Sequence, residues 1–317
     1  MVASTSGGPA LDPAAAPRVE PGRRPRGDNP WLNRALLIGL GVLVVLFLMQ
    51  WFGPLLVNPE DALVGAAPVG MVPTGMTADA VQGFTANSGG HPLGTDGQGR
   101  DILASIVVGV PRTLDVGLIG AGIGVALGIV LGFTAGLLRG WVDTVIGTIT
   151  DVGISIPGLA VLVVVASYVT NLGVLGLGLV MALFAWPIPT RVLRAQVLTL
   201  RERGYVSLAR LSGTSSIGIM FREMLPNMLP YIAATFAQTV SGVILAVTGL
   251  EALGLASSRY PSLGSMISNA LQGSGIFRGM WWWWGTPVVT LMVIFLALLA
   301  VMLGLDRVAN PRLRRAS

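Results

Sequence analysis

GLIGAGIGVALGIVLGFTAGLL, residues 117–138, contains no charged side chain. Crossing the hydrocarbon core of a bilayer takes about 20 apolar residues rising ~1.5 Å each, so this stretch is long enough to span. Within it Gly120, Gly124, Gly128, Gly132 and Gly136 recur at every fourth position. On a helix of about 3.6 residues per turn such positions lie near one face and drift by roughly 40° per step. A face without side chains is a groove into which another backbone can settle, with a right-handed crossing favoured. The spacing leaves open whether that partner belongs to this chain or to another.

Further apolar runs of spanning length fall at about 33–53, 145–169, 173–190, 228–250 and 286–305, and the glycine-rich span covers 113–138. The bulk numbers agree: 53% of the 317 residues are hydrophobic and 11% charged, against the roughly 25% charged of a soluble domain. The prediction is an all-α membrane protein with six transmembrane helices. Its parts are a disordered tail 1–30, a first transmembrane helix 31–54, an extracytoplasmic loop 55–101, a core of five helices over 102–310 and a tail 311–317. The tail composition, rich in Pro, Gly, Ala and Arg, shows no apolar periodicity. The loop 55–101 carries Pro54, Pro59, Pro68, Pro73 and Pro92 in or beside it, together with many glycines.

Orientation is read from the basic residues. Lysine is absent, so all 20 are arginine. Sixteen of them fall in the tails and in alternate loops, and four (Arg100, Arg112, Arg259 and Arg278) fall on the opposite side. The positive-inside rule then predicts both termini, and the loop 191–226, in the cytoplasm. Arg23 and Arg24 evoke a twin-arginine signal, but Pro25 and Asp28 follow and the apolar run starts late. A net charge of +5 distributed by topology argues against a nucleic-acid partner and for membrane lipid.

Several chemistries are excluded by composition. A standard P-loop needs a lysine for the nucleotide phosphates, and this chain has none. No cysteine and a single histidine, His91, cannot build a metal site or a thiol nucleophile; His91 reads as a turn residue. No cofactor is expected on this chain. Trp31, Trp51 and the run 281–284 predict aromatic belts at the headgroup level, with a ligand-stacking box as the alternative.

The segment RERGYVSLARLSGTSSIGIMFREMLPNMLP, 201–230, reads as a short amphipathic helix ended by Gly213, then a second short helix, then a proline-marked entry to the next span. Tyr205, Leu208 and Leu211/Ser212 share one face at i, i+3 and i+7 spacing, with Arg203 and Arg210 among the charges. Two roles fit such a helix: a docking knob for a partner, or an interfacial helix resting on anionic headgroups. Helix breakers and polar groups inside the spans mark a candidate substrate path: Asp151, Ser155, Pro157, Gln238 and Glu251. Pro157, with Pro187 and Pro189, could equally be a structural kink.

A family resemblance joins these pieces. The segment resembles the EAA loop of ABC importer permeases: Ser207, Leu208 and Ala209 stand at the E-A-A positions, Gly213 at the glycine, and Glu223 to Pro226 at the closing quartet. The glutamate of the pattern is absent at Ser207. HPLGTDGQGRDILASIVVGVPRTL (91–114), GWVD (140–143), DVGISIPGL (151–159), LPNMLP (225–230) and GLDRVANP (304–311) resemble the dipeptide/oligopeptide branch, in particular its C-type permease of peptide and nickel systems. The resemblance covers about 91–311. It implies a type I importer permease fold and an ATPase-coupling helix formed by Arg203, Gly204, Tyr205, Ser207, Leu208, Ala209, Arg210, Leu211 and Gly213. It also implies a second homologous permease, two ATP-binding subunits that hold ATP and Mg, and an extracytoplasmic substrate-binding protein. The expected location is the bacterial cytoplasmic membrane, and the expected cargo is peptides or similar small solutes. Where the branch carries an acid in its fifth span this chain has Val247, with Glu251 one turn on; Glu251 either replaces that acid or is solvated at the outer headgroups. The rival class is an ion-coupled secondary transporter.

Overall fold

The structure, a computed structural model, describes residues 33–76, 84–87, 89–168, 173–255 and 260–309. The predicted tails 1–30 and 311–317 lie outside these residues, as does Trp31.

Helix α1 (Arg34–Leu56) opens on Asn33, whose side chain accepts from the Leu36 amide and donates to the Gly304 carbonyl at 2.8 Å. Helix α2 (Ile102–Leu138) begins eleven residues before the expected 113. The reason is local: Asp101 caps it by accepting from the Ala104 amide at 2.8 Å. His91 Nδ1 sits 2.5 Å from the other Asp101 oxygen and holds that cap in place, which is the turn role read for it. Arg139 adopts φ 53° and turns the chain into α3 (Gly140–Ser155).

The third and fourth apolar runs each form a bent pair of helices. Helix α4 (Gly158–Tyr168) follows α3 at 72° across Ile156 and Pro157, and α6 (Pro187–Leu200) follows α5 (Val174–Ala185) at 46° across Trp186. Proline lacks the amide and clashes with the preceding turn, so both breaks fall at a proline. Then come α7 (Gly204–Leu211), α8 (Ser216–Ile219), a wide helical turn (Met220–Met224), α9 (Leu225–Ala252), α10 (Leu263–Gln272) and α11 (Trp281–Ala309). Among the described residues four helices are individually long and apolar enough to cross a membrane, and the two bent pairs bring the number to six if each counts as one span.

The glycine groove of α2 is filled from within the chain. A Cβ on Gly120 would meet Met181 of α5; one on Gly124 would lie 2.7 Å from Ala185 Cβ; those on Gly128, Gly132 and Gly136 would strike Pro189, the Arg194 amide and Val197 of α6. The five glycines therefore seat the bent pair α5–α6 from Gly178 to Val197. Around this seam α1 lies on α11, where a Cβ at Gly39 would lie 2.6 Å from the Ala297 carbonyl oxygen. Outward faces carry exposed Leu, Val and Ile, as a lipid-facing surface requires.

The described residues of the loop 57–101 fold back on the bundle. Thr95 is buried; its hydroxyl accepts from the Met71 amide and its carbonyl accepts from Trp282 Nε1 at 3.2 Å. Here the belt reading of 281–284 needs correction. Trp282 and Trp283 lie in the first turn of α11 and are buried in the protein, so they do not face lipid. Trp283 is 2% exposed, wedged among Gly97, Gly273 and Gly275. Only Trp281 of the run is mainly exposed.

Candidate functional site

Two regions are distinguishable along the bundle. At one end the helix termini of α2, α6 and α7 meet; at the other the loop 57–101 and α10 cover the helices.

Helix α7 is positioned by burial of Val206, with Tyr205 and Ala209 beside it, against Phe133, Leu193, Val197, Ile219, Met224 and Met228. The face toward the protein is therefore Tyr205, Val206 and Ala209. This corrects the expected face: Leu208 and Leu211 do not join Tyr205 in packing but point away, 65% and 84% exposed. Ser207, Arg203, Gly204 and Arg210 are exposed with them. The Tyr205 hydroxyl is buried without a hydrogen-bond partner among the described residues, and burial raises its pKa. Gly213, at φ 77°, ends the motif in the left-handed conformation that glycine adopts at no steric cost.

Charged side chains bind this end together. Arg201, just after α6, is buried, and its Nη1 donates to the Gly136 carbonyl in the last turn of α2 at 2.8 Å. Glu202 accepts from Arg139 Nη2 at 2.8 Å. Arg194 of α6 donates through Nε and Nη2 to the two oxygens of Asp143 on α3, the second at 2.8 Å. Arg191 approaches Asp151 at 3.5 Å.

The candidate path residues separate into two places. Gln238 lines a cavity of about 330 Å³ between the breaks, with Gly158, Leu159, Phe184, Pro189 and Thr239 among its walls. Pro157 adjoins it as the break itself, and Ser155 ends α3 with its hydroxyl donating to the Asp151 carbonyl. Asp151 is exposed and faces Arg191. Glu251 is elsewhere: thirteen residues beyond Gln238 on α9, it lies roughly 20 Å further along the axis. It is 5% exposed, beside Arg112 and Ser262, with Gly264 so close that a Cβ there would meet its Oε2 at 2.4 Å. Solvation at headgroups is thus the wrong reading of Glu251, since the carboxylate is enclosed by α2 and α10. Among the described residues no three His, Cys, Asp or Glu side chains cluster as metal ligands.

Sequence reasoning missed the ties Arg201–Gly136 and Arg194–Asp143, because each joins residues more than fifty positions apart. It also missed α10, whose 10 residues are too few to register as a span. Ser262 and Ser265, which cap one another reciprocally, were the available signal for its start.

The chain is similar to known proteins. Residues 128–315 match the family described as "Binding-protein-dependent transport system inner membrane component". The chain is 32% identical over 224 residues to the oligopeptide transport system permease protein OppC of Lactococcus lactis subsp. cremoris, covering 70% of this chain and 76% of that one. It is 28% identical over 248 residues to OppC of Mycobacterium bovis (77% and 80% covered). To the glutathione transport system permease protein GsiD of Pectobacterium atrosepticum it is 30% identical over 184 residues (58% and 61%). The ion-coupled alternative finds no support in these matches. Such a system works through a substrate-binding protein and ATPase partners. The chain belongs to the inner-membrane components of binding-protein-dependent transport systems and is a permease subunit of an ABC importer.

Proposed function

We propose that this permease forms half of a translocation pathway for peptides or similar small solutes, paired with a second homologous permease, two ATP-binding subunits and an extracytoplasmic binding protein. The names of its relatives, permeases for oligopeptides and glutathione, support the substrate class. ATP and Mg are held by the partner subunits, because this chain has no lysine for a phosphate-binding loop. Both termini and the α7 end face the cytoplasm, on the distribution of arginines.

The observation that carries the reading is the outward pair Leu208 and Leu211 on a helix whose opposite face is locked into the bundle. Exposed leucines flanked by Arg203 and Arg210 at an arginine-rich end make a knob for a groove on an ATPase. Docking there pushes α7 as ATP closes the motor. The cavity at Gln238 opens alternately to either side as the broken spans re-angle at Pro157 and Pro187.

The test is co-purification. Leu208→Asp combined with Leu211→Asp is expected to release the ATPase subunits and abolish uptake of a labelled peptide into vesicles while the chain still inserts and folds. Retention of the ATPases by that variant would refute docking through α7.

A further inference from the structure

A buried cation joins three helix ends at the foot of the bundle. Arg201 is 8% exposed, whereas Glu202, Arg203 and Arg210 around it are exposed. Burying a guanidinium is costly unless its donors are used. Here one donor caps α2 from outside: Nη1 reaches the Gly136 carbonyl, one of the last-turn acceptors that a helix leaves unpaired. A cation at that terminus also meets the negative end of the helix dipole. The approach is possible because Gly136 has no side chain; a Cβ there would lie 2.4 Å from Val197 Cγ1.

The position of Arg201 in the chain matters as much as its contact. It follows the last residue of α6 and precedes α7 by two residues. A single side chain therefore ties the elbow between α6 and α7 to the foot of α2. Glu202 adds a second tie: it accepts from Arg139 at the elbow between α2 and α3, and approaches Arg201 Nε at 3.5 Å. Above these, the Arg194–Asp143 and Arg191–Asp151 pairs bind α6 to α3, and Gly153 of α3 lies against Pro187 at the second break, a Cβ there coming 3.0 Å from its ring. The set forms a continuous block from α7 to the two breaks that flank the Gln238 cavity.

We propose that Arg201 is a positioning residue for energy coupling: it makes the foot of α2, the end of α6 and α7 move as one body, so that a push on α7 reaches the breaks. This rests on the reading of α7 as the ATPase docking helix. Without the tie, α7 is held to the bundle only by the apolar packing of Tyr205, Val206 and Ala209, and part of the motor's push is lost before it reaches the breaks.

The experiment uses the whole importer, permeases with ATPases and binding protein, reconstituted in vesicles. Two variants keep the apolar stem of the side chain: Arg201→Lys keeps a donor, and Arg201→Met has none. Three readouts are taken: ATPase subunits retained, ATP hydrolysed, and labelled peptide taken up per ATP. Arg201→Met is expected to retain the ATPases and hydrolyse ATP near the normal rate, with uptake per ATP falling roughly tenfold; Arg201→Lys should recover at least half. Equal uptake per ATP in Met, Lys and unaltered proteins overturns the proposal. So does an equal loss in both variants, or a loss of assembly, since Arg201 is then only part of the packing. The Leu208→Asp, Leu211→Asp variant separates the underlying reading: if it keeps its ATPases, docking is wrong whatever Arg201 does.

Discussion

Arg194 on α6 grips Asp143 on α3 with two donors, Nε to one carboxylate oxygen and Nη2 to the other at 2.8 Å. The fork of a guanidinium matches a carboxylate in this way, and lysine cannot reproduce it. Both side chains are partly shielded by the bundle. The pair is the firmest tie between two helices that otherwise meet only along part of their length.

Arg194→Ala should lower stability by about 1 kcal/mol, within the span between exposed and shielded charge pairs. Thermal unfolding in detergent reads this. The swapped double variant Asp143→Arg, Arg194→Asp should regain at least half the loss, whereas independent contributions from the two residues would make it the worst of the set.

Gly128→Ala should destabilise by about 1–3 kcal/mol through overpacking. The added carbon would stand 2.6 Å from Pro189 Cβ and 3.0 Å from the Thr190 amide, and backbone cannot step aside cheaply. Gly122→Ala, on the same helix with open space around it, should be neutral or slightly stabilising. Equal unfolding midpoints for the two variants would contradict the seam.

Trp283→Ala should cost about 3–5 kcal/mol, because it empties the space among Gly97, Gly273 and Gly275. It should also loosen the loop 57–101, seen as faster proteolysis there. Trp281→Ala, at the exposed position, should leave both readouts near normal.

Asp96 supplies a pH dependence. Burial raises its pKa above the ordinary aspartate value, although backbone donors from Arg100, Gln98 and Gly99 and the nearby Arg100 charge pull it the other way. A carboxyl whose folded pKa is raised favours the protonated form, so its contribution is full below the unfolded pKa and is lost as pH rises through the folded one. Asp96→Asn keeps an acceptor for the Gln98 and Arg100 amides, at 2.7 and 2.8 Å in the unaltered protein. Thermal unfolding between pH 4 and 7 should therefore fall less steeply with rising pH in the variant than in the unaltered chain. Identical slopes would remove Asp96 from the account.

The order of helices was legible in the residues because each span answers to a one-dimensional condition, enough apolar side chains in a row to match the bilayer. The two breaks at Pro157 and Pro187 were legible for the same reason, since a missing amide acts within one turn. Helix α10 and the early start of α2 were not, because both are sheltered by protein and need no long apolar run.

What the sequence alone determined is a helical membrane protein with six apolar runs, a glycine groove and a short helix before the fifth run, in segments that resemble importer permeases. Only the tertiary structure decided what fills the groove, which face of α7 is free, that Trp282 and Trp283 anchor a loop, that Arg201 and Glu251 are buried, and that Arg194 meets Asp143. Periodicity reports which faces are apolar or small, but not which distant surface covers them. That depends on the packing of all helices at once, and a buried charge is explained only by the atom it meets.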